Sequence, residues 1–135
     1  MEQRTKILVV DDDPDVLEVM TTILESQNYE VVTARDGVGA LASLRAEQPD
    51  LMILDLLMPK MDGFAVCKEL ADSRWSKYRA IPIMILTSVR EEASRRRYEL
   101  ETGIALNVDD YVEKPIVPEI LLDRVTKLLK KRAKA

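Results

Sequence analysis

The 135-residue sequence is 47% hydrophobic and 33% charged, the size and composition of one compact domain and too short for two. Its 24 acidic and 20 basic residues give a net charge of −4, no general reason to bind nucleic acid or a membrane surface, and the lack of any histidine excludes a Ser-His-Asp triad, a Cys-His pair and an imidazole metal site. The lone cysteine, Cys67, excludes an intramolecular disulfide and a cysteine-based zinc site, and no apolar run approaches the roughly 20 residues that span a bilayer, so a cytoplasmic protein is expected.

An apolar, mainly β-branched run at residues 7–10 reads as a strand buried on both faces, ending at Asp11. Asp13 then offers a helix cap and Pro14 a first helical position, with Val16, Met20, Ile23 and Leu24 following at helical spacing. The pattern repeats with a strand at 29–33, a helix from about Val38 with Leu41 and Leu44 inward, and a strand at 51–54. A loop containing Pro59 leads to a helix that Asp62 can cap, with Phe64, Cys67, Leu70 and Ala71 on one face. That placement marks Cys67 as a small core side chain. Trp75 and Tyr78 fall in the polar stretch 72–79 and are expected to cover the loop before a fourth strand at 83–86. A polar helix over 91–100 follows, with the arginines 95–97 on a solvated face, then a weak fifth strand near Tyr111 and Val112. Pro118 starts a last helix with Leu121, Val125, Leu128 and Leu129 inward. The single domain has its core over residues 5–130, and the basic end at 130–135 reads as favourable charge at a helix C-terminus.

Strands alternating with helices, the strands apolar throughout, predict an α/β fold: a doubly wound parallel sheet with helices on both faces. Such folds hold ligands at the carboxyl edge of the strands, in the five-strand version between the first and third. The residues just past the strands are Asp11, Asp12 and Asp13, then Asp55, then Thr87 and Ser88, then Lys114. Asp13 is accounted for by capping. The remaining carboxylates in one crevice would repel and raise one another's pKa without a cation, and an oxygen-only donor set suits Mg²⁺. The same acids replace the glycine-rich loop of a nucleotide or flavin binder. A carboxylate beside a metal, a hydroxyl and an ammonium can accept a phosphoryl group as an aspartyl phosphate.

Four segments carry a family resemblance: Ile-Leu-Val-Val-Asp-Asp at 7–12, Leu-Asp-Leu-Leu-Met-Pro-Lys-Met-Asp-Gly at 54–63, Leu-Thr-Ser at 86–88, and Asp-Asp-Tyr-Val-Glu-Lys-Pro at 109–115. In this order they resemble the receiver domain of two-component response regulators over essentially the whole chain. The resemblance implies a flavodoxin-like sheet of order 2-1-3-4-5, with Asp55 as phosphoacceptor. It implies Mg²⁺ held by Asp12, Asp55 and the Leu57 carbonyl, with Asp11 supporting. Thr87 would be the switch hydroxyl, Lys114 the partner of the phosphoryl oxygens, and Tyr111 the aromatic whose rotamer follows Thr87. A cis peptide at Lys114-Pro115 is implied as well. The donor would be a histidine kinase or phosphotransfer protein, and the output an unknown downstream protein docking on the fourth helix, fifth strand and fifth helix. Direct nucleic-acid binding is not expected. The domain would be a signalling switch rather than an enzyme, with only self-phosphotransfer and slow self-dephosphorylation.

Three features modify that expectation. In receivers the residues two beyond the acceptor and the switch hydroxyl flank the line of water attack, and the resemblance puts Leu57 and Val89 there. Both are apolar, so they predict a long-lived phosphoryl group. About five extra residues in the stretch 101–108 predict an altered output surface. Asp110 and Arg124 resemble a salt-bridging pair of receivers that dimerise on phosphorylation, although Ile120 replaces the usual companion acid. Two other functions stand beside this one. Asp-Asp-Asp at 11–13 partly resembles the nucleophile motif of haloacid dehalogenase-type phosphohydrolases, but lacks the following threonine. A receiver-like adaptor would signal without phosphate. No effector domain is found in the sequence, so the chain is expected to act by reversible docking or as a piece of a longer protein.

Overall fold

Alternation within the strands builds two cores on one sheet. Ile7, Val9, Ile53, Met84 and Leu86 point to one face, where they meet Leu17, Met20 and Leu24 of one helix and Leu121, Val125 and Leu128 of another. Leu8, Val10, Met52, Leu54 and Ile85 point to the other face and pack against Ala40, Leu44, Phe64 and Val66. Because consecutive residues face opposite layers, a central strand here has to be apolar at every position, and that is why residues 7–10 and 51–54 read as unbroken apolar runs.

The computed structural model describes residues 4–134, with side chains through Arg132. In chain order the elements are β1 (Lys6–Val10), α1 (Pro14–Glu25), β2 (Glu30–Ala34), α2 (Gly37–Glu47), β3 (Leu51–Asp55), α3 (Gly63–Leu70), a 3₁₀ helix (Ser73–Tyr78), β4 (Ile83–Thr87), α4 (Val89–Thr102), β5 (Asp110–Glu113) and α5 (Pro118–Lys134). All strand pairs are parallel, in the order β2-β1-β3-β4-β5. α1 and α5 cover one face, α2 and α3 the other. Of the predicted basic end, the Lys134 side chain and Ala135 lie outside the described residues, while Arg132 folds back to Asp50 at 3.2 Å.

Two elements differ from their sequence expectation. β2 begins one residue late, since Asn28 adopts φ 64° and the Tyr29 N–H still donates to the α1 carbonyl of Leu24. α4 runs longer at both ends than residues 91–100, starting directly after β4 and stopping at Gly103, whose φ of 69° ends the helix in the left-handed region. The additional residues before β5 therefore form an irregular connection, anchored by the Leu106 N–H on Glu99 and by the Ile83 N–H on the Asp109 carboxylate. Trp75 is a core residue: it is buried in one cluster with Ile81 of the loop before β4, its Nε1 donates to Glu69 at 2.9 Å, and the Arg45 guanidinium lies over its ring. Its polar neighbours form the outer side of the 3₁₀ helix.

Candidate functional site

Parallel register brings the ends of β1, β3, β4 and β5 to one level, with Val10 opposite Leu54, Asp55 opposite Leu86 and Thr87 opposite Glu113. The residues that leave these strands therefore share one edge. Asp11 is almost wholly buried there: its N–H donates to the Ala34 carbonyl and its Oδ1 accepts the Asp13 N–H. Asp13 itself caps α1 by accepting from the Asp15 N–H, as its place before Pro14 predicted. Asp55, 2% exposed, ends β3 and accepts a long hydrogen bond from the Leu57 N–H at 3.4 Å. The chain can fold back behind it because residue 63 is glycine: a Cβ there would sit 2.5 Å from the Asp55 carbonyl oxygen and 2.8 Å from the Leu56 Cα. Lys114, before a cis Pro115, donates its N–H to the Thr87 carbonyl, and its side chain crosses to the acids. Its Nζ stands 3.2 Å from Asp11, 3.6 Å from Asp55 and 3.6 Å from Glu91.

One ammonium thus faces three carboxylates, with Asp12 at the rim. Burial, and after it the charge of Asp11, pushes the Asp55 carboxyl up to about 7, and burial likewise raises Asp11. Lys114 is held above its usual value because the charges of Asp55, Asp11 and Glu91 outweigh its own desolvation. Carboxylate oxygens of Asp11, Asp12 and Asp55 lie within 4.8 Å of one another, and the buried Asp11 Oδ2 accepts no aligned hydrogen bond. A hard divalent cation fits this set: it would supply the missing positive charge and a further partner for Asp11 Oδ2, whose nearest cation is the Lys114 ammonium at 3.2 Å. Cys67, pushed up to about 12 by burial, is an inert thiol.

Of the residues singled out in the sequence, Asp11, Asp12, Asp55, Leu57 and Lys114 line one pocket. Thr87 is buried beside it, but its hydroxyl points toward α4, donating to the Ser88 carbonyl at 3.2 Å and to Glu92 at 3.5 Å. Tyr111 is half-buried, with the Arg95 guanidinium 5.1 Å from its ring centre. Val89 is 90% exposed and lies outside this pocket, since the first position of α4 faces solvent; Arg90 lines the pocket instead. Asp110 and Arg124 are joined within the one chain, 2.7 Å apart.

α4 holds site-lining and adjoining residues that sequence reasoning missed. Glu91 is buried against Lys114, and Arg95, read as part of a solvated arginine run, bonds Glu92 and Glu99 with its guanidinium over the Tyr111 ring. Thr87, Glu92, Arg95 and Tyr111 consequently form a continuous polar path from the edge to β5. The available signal was spacing: Glu91 and Arg95 lie four and eight residues beyond Thr87, one side of a helix that begins at once.

The sequence profile of the response regulator receiver domain matches residues 7–126. The "Probable transcriptional regulator ycf27" of Cyanophora paradoxa is 43% identical over 128 residues, 95% of this chain and 49% of that protein. The alkaline phosphatase synthesis transcriptional regulatory protein PhoP of Bacillus subtilis is 38% identical over 126 residues, 93% of this chain and 49% of that protein. The chain thus spans about half the length of the curated relatives it matches. Among solved structures, the receiver domain of a signal transduction histidine kinase from Syntrophus aciditrophicus is 34% identical with a TM-score of 0.78, covering 94% of this chain and 91% of that one. A profile match over nearly the whole sheet, on a chain that gathers these acids and this lysine at its carboxyl edge, places the protein in the response regulator receiver domain family.

Proposed function

We propose that the domain is a phosphorylation-controlled switch whose acceptor is Asp55. The observation that carries this reading is the convergence of Lys114 with Asp11, Asp12 and Asp55 at the ends of adjacent strands. In the transfer, an Asp55 carboxylate oxygen attacks phosphorus and forms a P–O bond as the P–N bond to a donor histidine, or the P–O bond to a small donor, breaks. The leaving group takes its proton from solvent. Asp11, Asp12, Asp55 and the Leu57 carbonyl are the groups that would hold Mg²⁺, which when bound offsets charge on the transferring phosphoryl group. Lys114 supplies a fixed ammonium beside the acceptor carboxylate. The absence of histidine is consistent with this chemistry, since the phosphohistidine belongs to the kinase or phosphotransfer partner.

Once Asp55 carries the phosphoryl group, its oxygens offer the Thr87 hydroxyl an acceptor in place of Glu92. Breaking that contact frees Glu92 and Arg95, and with them the cover over Tyr111. The surface of α4, β5 and α5 is then the output. Among the described residues no helix is long and apolar enough to cross a membrane. Relatives of twice this length are named transcriptional regulators, which supports an output carried by a partner or another part of a longer chain. A homodimer using Asp110 and Arg124 would require their intrachain bridge to exchange between copies.

Incubation with a small phosphodonor and Mg²⁺ followed by peptide mapping is expected to find the label on the peptide holding Asp55. Label on Asp11 would support a phosphohydrolase instead. Leu57 shields the acceptor without offering water a hydrogen-bond partner, so Leu57→Asn is expected to speed loss of the phosphoryl group roughly tenfold, about 1.4 kcal/mol of barrier. An unchanged decay rate would remove Leu57 from that role.

A further inference from the structure

The residues Ser88-Val-Arg-Glu91 have the S-x-x-E spacing of a capping box, in which the serine hydroxyl accepts the N–H of the glutamate and the glutamate carboxylate accepts the N–H of the serine. Ser88 is indeed the residue that opens α4, with extended backbone, yet its side chain makes no cap hydrogen bond. α1, α2 and α3 are each capped by an aspartate, at Asp13, Asp36 and Asp62. Glu91 is diverted. It is 7% exposed, its Oε1 lies 3.6 Å from Lys114 Nζ, and its buried Oε2 has no hydrogen-bond partner. Among the described residues nothing joins it to the Ser88 N–H.

The geometry points to Glu91 as a positioning residue with two mutually exclusive partners: the Lys114 ammonium while Asp55 is unmodified, and the Ser88 N–H once a phosphoryl group occupies the edge. This rests on the phosphoacceptor reading above. A phosphoryl group adds anionic oxygens that compete for Lys114, and it repels a carboxylate already held beside that lysine in a site with little solvent. Of the four N–H groups that the start of a helix leaves without an intrahelical partner, the serine amide is the one that a glutamate three residues on reaches in a capping box. Closing the box converts loss of an ion pair at the site into a tighter start of α4. Glu92, the next residue, carries that change to Arg95 and Tyr111. Glu91 also acts as an electrostatic gate, since an incoming anion has to displace it.

The test uses beryllium fluoride with Mg²⁺ as a non-covalent phosphoryl mimic, titrated into the native domain, Glu91→Gln and Glu91→Ala. Affinity is read by calorimetry, and hydrogen exchange is read at the Ser88 and Glu91 amides. Glutamine fits a capping box but lacks the charge, so the two roles separate. Glu91→Gln is expected to bind the mimic on the order of threefold more tightly or better, with both amides protected before the mimic is added. Glu91→Ala binds more tightly too, yet leaves the Ser88 amide unprotected when loaded. In the native domain both amides gain protection on loading. Native affinity in Glu91→Gln, or native amides that exchange equally in both states, overturns the assignment of Glu91 alone. A native domain that takes up no mimic overturns the phosphoacceptor reading and this inference with it.

Discussion

Replacing Lys114 with methionine is expected to destabilise the unliganded domain by about 3–5 kcal/mol at pH 8, the range seen when one partner of a buried ion pair is removed. The methylene stem is retained, so packing changes little, while Asp11, Asp55 and Glu91 lose the cation they share. The loss should shrink at pH 5, because Asp55, already pushed up to about 7, takes up a proton and relieves the repulsion. Urea unfolding at the two pH values checks this. A loss equal at both, or below about 1 kcal/mol as for an exposed pair, would mean that Lys114 is not the cation holding the edge together.

Asp55→Asn is expected to act in the opposite direction and stabilise the unliganded domain at pH 8 by about 2 kcal/mol. The sign follows from the shift. Folding raises the Asp55 carboxyl from an ordinary 3.8 to about 7, so the folded state binds the proton more tightly than the unfolded chain. Its contribution to stability is complete below pH 4 and is lost as the pH rises through 7. Asparagine keeps the shape and does not titrate, so the stability difference opens between pH 4 and 8 and is flat above. Mg²⁺ should narrow it by stabilising the native domain through mass action. In a Lys114→Met background Asp55→Asn should restore much of the loss, because the two groups touch and their effects do not add. A variant no more stable than the native domain at pH 8 would show that the buried carboxylate is not under the electrostatic load assigned to it.

The sheet was legible because its strands are buried on both faces, which leaves unbroken apolar runs at residues 7–10, 51–54 and 83–86, and because the rule for the carboxyl edge then gathers Asp11, Asp12, Asp55 and Lys114 without coordinates. Family resemblance added the division of roles among those acids, which their residue types alone do not give. α4 was legible only as a helix. Its mixture of arginine and glutamate has no apolar stripe, so the sequence does not say which charges turn inward. Glu91 is buried and Arg95 half-buried because only Ser88 separates β4 from α4, so the first two turns of the helix lie over the edge, a consequence of where β4 stops. Val89, two residues past Thr87 in sequence, points to solvent as the first residue of that helix and lines a cavity with Thr87 and Lys114. The depth of Trp75 was not legible because the 3₁₀ helix buries one residue among polar neighbours, a pattern without the period of an α-helix or a strand.

The most direct measurement is the intact mass of the domain after incubation with Mg²⁺ and a small phosphodonor. One added phosphoryl group on the native protein and none on Asp55→Asn is the predicted result; equal modification of both proteins would contradict the assignment of Asp55 as the acceptor.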